Sequence, residues 1–155
     1  MALVAETVAE AAPGFYLIES VHGFVVHMNA SAEHLRLVRE LIGKRLMAAG
    51  VGTGTAEAAQ LVTSELSGNA VRAYGDLVPL VIEVDVTELG VWVKVHDPDP
   101  GRLPHRRSVR MDDAAAESGR GLPLVDAFAP GWDVAVTPVG KQVRARVPLE
   151  GRNRG

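Results

Sequence analysis

The residues of this chain that could do chemistry fall in a few short stretches. Glu65 and Asn69 are four apart, so on a helix they share one face, beside an apolar stripe of Leu61, Val62, Leu66, Ala70 and Val71. A carboxylate and an amide there need partners. Taken alone, E-x-x-x-N reads as a half-exposed acid and an amide that bonds its neighbours. Asp97 closes a valine-rich run, and a carboxylate at a strand end can accept a hydrogen bond from the exocyclic amine of adenine. A turn-forming Asp before Pro98 is the alternative. Gly119-Arg120-Gly121-Leu122 precedes a helical pattern. Paired glycines let backbone approach a phosphate there, and the helix dipole favours its charge, although an ordinary glycine-bearing helix entry has the same composition. The richer run Gly50-Val51-Gly52-Thr53-Gly54-Thr55 follows a helix rather than a strand, so it lacks the setting of a dinucleotide fingerprint.

Other chemistries lose support. No G-x-x-x-x-G-K-[ST] run or protein-kinase glycine loop is present. Ser118 is not in G-x-S-x-G, and the histidines at 22, 27, 34, 96 and 105 lack metal-ligand spacing on one helix. The chain has no cysteine, which excludes disulfides, thiolate zinc sites and a cysteine nucleophile. A net charge of −3 with scattered basic residues argues against direct nucleic-acid binding. No apolar stretch approaches the ~20 residues of a membrane helix, so no membrane is expected and a soluble, cytoplasmic protein is.

Length and composition, 155 residues with 47% hydrophobic and 23% charged, fit one domain. Residues 1–14 are alanine-rich and stopped by Pro13-Gly14, which predicts a weak helix or a mobile extension. Two strands are expected over 15–20 and 24–28. A helix follows, capped by Asn29 or Ser31, with its stripe at Leu35, Val38, Leu41, Ile42 and Leu46 and its end at Gly50. A second helix runs from a cap at Thr55 to about Tyr74 and carries Glu65 and Asn69. Strands at 79–87 and 91–97 form a hairpin, residues 98–118 read as a long loop or lid, and a third helix opens at Gly119-Arg120-Gly121. Strands at 132–137 and 142–149 close the domain at 15–149, and Lys141 reads as a turn residue between them. The tail 150–155 is polar and expected to be disordered.

Order and spacing join these signals. Leu61-Val62-Thr63-Ser64-Glu65-Leu66-Ser67-Gly68-Asn69-Ala70-Val71-Arg72 resembles the N box of the GHKL, or histidine kinase-like, ATPases. Val93-Lys94-Val95-His96-Asp97 with Gly101 resembles their first glycine box, Gly119 to Val125 the second, and Gly140 to Ala145 the closing segment. The likeness spans about 24–149. Within the superfamily it is nearest to the anti-sigma-factor serine/threonine kinases and their stand-alone bacterial relatives. It departs at Ser67-Gly68, where a mid-helix glycine predicts a bend, and at Asp97-Pro98-Asp99-Pro100-Gly101, which replaces a compact D-x-G.

The resemblance implies an α/β two-layer sandwich of the Bergerat type, with a mixed, largely antiparallel sheet and helices on one face. It implies ATP and Mg2+ as cofactors. Asn69 would complete the magnesium site, Glu65 would be the catalytic base, and Asp97 would bind the adenine amine, with Gly101 nearby. Gly119, Arg120, Gly121 and Leu122 would meet the phosphates. The implied activity is phosphorylation of an antagonist (anti-anti-sigma) protein, with control of a sigma factor and a possible homodimer. The alternatives are a nucleotide-gated interaction module without turnover, and a degenerate domain without nucleotide.

Overall fold

The computed structural model describes residues 8–98 and 121–150. Seven strands form one sheet: β1 Val8–Ala12, β2 Phe15–Glu19, β3 Gly23–Asn29, β4 Pro79–Thr87, β5 Gly90–Asp97, β6 Asp133–Thr137 and β7 Gly140–Val147. Their order across the sheet is β1-β2-β3-β4-β5-β7-β6, and every neighbouring pair is antiparallel. The expected parallel component is therefore missing among the described strands. Three helices, α1 Ala32–Ala48, α2 Thr53–Tyr74 and α3 Gly121–Phe128, complete the described fold.

Alternation builds the two layers. Val91, Val93 and Val95 of β5 and Val143, Ala145 and Val147 of β7 are buried, while Trp92, Lys94, Arg144 and Arg146 between them turn to the other face. Phe24, Val26 and Met28 of β3 and Leu80, Ile82 and Val84 of β4 extend this apolar face. Helix α1 covers it with Val38, Ile42 and Leu46, and α2 with Ala58, Ala59, Val62, Leu66 and Ala70. Each such side chain removed from water contributes about 1.5–3 kcal/mol for a Val or Leu, so truncating Ile42 to Ala is expected to cost about 2–5 kcal/mol.

Local signals behave as the chemistry requires, with two exceptions. Ser31 caps α1 by accepting from the His34 N–H, and Gly50 leaves the helix at a φ of 76°. Thr55 is not the cap of α2. Gly52 takes that position and Thr55 is buried inside the first turn, because a distant segment uses its hydroxyl. Residues 8–12 form an edge strand on β2 rather than a weak helix. Pro13-Gly14, with Gly14 at a φ of 74°, returns the chain into β2, and the ladder on β2 satisfies backbone groups that an isolated five-residue helix could not.

Candidate functional site

Helix α2 spans the length of β7 and is fixed at both ends. At its start, Thr55 Oγ1 donates to the Pro148 carbonyl at 3.3 Å and accepts from the Glu150 N–H at 2.9 Å. The Glu150 carboxylate accepts from the Gly54 N–H at 3.1 Å. A Cβ on Gly54 would lie 2.5 Å from Glu150 Oε2, so glycine is what lets the carboxylate seat on the helix N-terminus. The glycine-rich run at 50–55 thus receives an anion from the chain itself.

At the other end Tyr74, the last residue of α2, reaches the opposite edge of the inner face. Asp97 and Lys141 face each other directly across β5 and β7. The Lys141 ammonium lies 2.9 Å from each Asp97 carboxylate oxygen, and the side chains are only 4% and 5% exposed for Lys141 and Asp97. It also donates to the Tyr74 hydroxyl and lies 4.6 Å from the centre of that ring. Backbone packing is equally close. A Cβ on Gly140 would stand 1.9 Å from the Asp97 carbonyl oxygen, which only a glycine at a φ of 152° avoids. Lys141 is therefore a buried strand residue in the site, not a turn residue. It continues the inward series Lys141, Val143, Ala145, Val147, a register that the alternation of β7 already contained.

Glu65 and Asn69 sit on α2, half-buried, and make no side-chain hydrogen bond among the described residues. Between them, Ser67 is fully buried, and its Oγ has no hydrogen-bond partner among the described residues. At Gly68 the absent side chain leaves room for the Arg72 guanidinium, whose nearest nitrogen would be 3.3 Å from a Cβ. The helix runs unbroken from Thr53 to Tyr74, so Gly68 does not interrupt it. Helix α3 opens at Gly121, as the double-glycine entrance predicts, and packs against α2. Gly101, Gly119, Arg120 and the Leu122 side chain lie outside what is described. Among the described residues no group of three or more His, Asp or Glu could hold a metal ion. A cavity of about 550 Å³ lined by Asp85, Trp92, Lys94, Asp133 and Arg144 opens on the sheet face away from Asp97.

The described residues thus join a buried carboxylate at the end of β5 to the last residue of α2, the helix that also carries Glu65 and Asn69. Comparison with family models matches residues 28–147 to the histidine kinase-like ATPase domain. The chain belongs to the histidine kinase-like ATPase family. Comparison with the curated proteins found no match. The match takes in α1, α2, Asp97 and Lys141, and it begins within β3, so β1 and β2 lie before the matched region. As a histidine kinase-like ATPase domain, the chain is an ATP-binding α+β unit. No helix among the described residues is long and apolar enough to cross a membrane.

Proposed function

We propose that the chain is a magnesium-dependent ATP-binding regulator of the anti-sigma type, which phosphorylates a serine or threonine of an antagonist protein and thereby controls a sigma factor in the cytoplasm. The observation that carries this reading is that a single helix bears Glu65 and Asn69, their polar groups uncommitted among the described residues, and ends at Asp97 through Tyr74 and Lys141. Along α2, Asn69 precedes Tyr74 by five residues and Glu65 by nine, about 7 and 13 Å of helix at 1.5 Å per residue.

The residues present fit such a ligand. The Asn69 amide oxygen is a hard donor of the kind magnesium takes beside phosphate oxygens and water, and no all-protein cage is needed. Bound Mg-ATP would supply the phosphoryl group. Glu65 would take the proton from the attacking hydroxyl and Asp97 would receive the amine of the base, while Gly119, Arg120, Gly121 and Leu122, with Gly101, are the residues that the family resemblance assigns to the phosphates. Phosphotransfer to a candidate antagonist with labelled Mg-ATP tests the reading. Transfer is expected from the wild type and a loss of at least about a hundredfold from Glu65→Ala, with ATP affinity retained.

One feature favours the second reading, an interaction module gated by nucleotide without turnover. Ser67-Gly68 and the stretched Asp97-to-Gly101 segment depart from the kinase-like pattern. Under that reading Glu65→Ala keeps both ATP binding and partner control.

A further inference from the structure

We infer that Lys141 sets how strongly this site holds a nucleobase, because its ammonium already occupies the carboxylate that the base must reach. The inference rests on the nucleotide reading above and adds a competitor to it. An ammonium has three donors. Here they meet Asp97 Oδ1, Asp97 Oδ2 and the Tyr74 hydroxyl. A carboxylate retains further lone pairs after accepting two such bonds, but little room is left to reach them: the Asp97 side chain is 5% exposed, with the Lys141 ammonium against both oxygens.

An exocyclic amine of adenine therefore cannot approach Asp97 while Lys141 stays in place. The ammonium must withdraw, and a neutral amine then replaces a full positive charge on a buried carboxylate. That exchange is unfavourable in a low-dielectric site, where charge-assisted contacts are the stronger ones. The loss is subtracted from the affinity gained by base stacking and phosphate contacts. Tyr74 tunes it, since its hydroxyl and ring both hold the ammonium over Asp97. The first helix turn at Gly54 shows no such competition with the base, because Glu150 binds there at the far end of α2.

The test is calorimetric titration of wild type and Lys141→Met with Mg-ATP and, separately, with adenosine, which has no phosphates. Lys141→Met is expected to bind both about tenfold more tightly, or better. A gain for Mg-ATP without one for adenosine, or an unchanged or weaker affinity for both, overturns the inference while leaving the nucleotide reading intact. Saturable binding by neither protein overturns both. If circular dichroism shows that Lys141→Met does not fold, Tyr74→Phe decides, because it loosens the ammonium without uncovering Asp97. Its expected gain is about two- to fivefold, and no gain overturns the inference.

Discussion

The two ends of α2 are each held by a carboxylate, and they differ in what surrounds it. At the start, Glu150 meets a helix N-terminus at an exposed position, with the Thr55 hydroxyl bridging the same segment. At the finish, Asp97 meets a lysine where neither side chain retains more than 5% exposure. Water screens the first contact, and burial keeps bulk solvent from the second, so the first gives a modest, replaceable stabilisation. The second gives an interaction that is strong only while both partners are present. A clasp of the first kind suits an anchor, and a sealed pair suits a place where a ligand exchanges with a side chain.

The largest effect that could break this contrast is at the sealed end. Lys141→Met is expected to lower unfolding free energy by about 3–5 kcal/mol in urea denaturation, since it leaves Asp97 buried without its cation. Adding Asp97→Leu is expected to return most of that loss, because an apolar pair carries no uncompensated charge. A loss below about 1 kcal/mol for the single variant would mean that water reaches Asp97 after all. Next comes Thr55→Val, which removes the donor to Pro148 and the acceptor for Glu150 and is expected to cost about 1–2 kcal/mol by the same assay. Glu150→Gln keeps the shape and is expected to cost only about 0.3–1 kcal/mol, shrinking as salt is raised from 0.1 to about 1 M. If Glu150→Gln cost as much as Lys141→Met, the two ends would not differ in kind.

A carboxylate on the other sheet face extends the comparison to pH. Partial burial, a hydrogen bond with Asp85 and the Asp85 charge push the Glu83 carboxyl above its ordinary value of 4.5, while Lys94 opposes them. The folded state then holds this proton more tightly than the unfolded chain. Stability from Glu83 is present below the ordinary value and is lost as pH rises through the raised one. Glu83→Gln is expected to raise the melting temperature at pH 7 and to have its smallest effect near pH 4. A variant that melts lower at pH 7 would show that Lys94 dominates instead.

Much of this architecture is legible in the residues. Alternation in 79–87, 91–97 and 142–147 and the stripes of α1 and α2 are dictated by burial of one face, and the structure keeps them nearly to the residue. What escaped were contacts between distant segments. Thr55 looks like a cap until Pro148 and Glu150 arrive from the far end of the chain. Val8–Ala12 has weak helical composition, and only pairing with β2 makes it a strand. Lys141 is the instructive case. Its place in the inward series with Val143 and Ala145 makes it a buried charge, and a buried charge demands a partner, although its position beside Gly140 also suits a turn. Pattern offers Glu65, Asn69 and Asp97 as candidates, but it names no partner for Asp97, and the lysine opposite it depends on strand register.

The most direct test is titration of the folded protein and its Asp97→Asn variant with Mg-ATP. The account predicts saturable one-to-one binding by the wild type and an affinity at least about tenfold weaker for the variant, whose amide replaces the acceptor pair offered to the base. Equal binding by the two proteins, or no saturable heat from either, would contradict it.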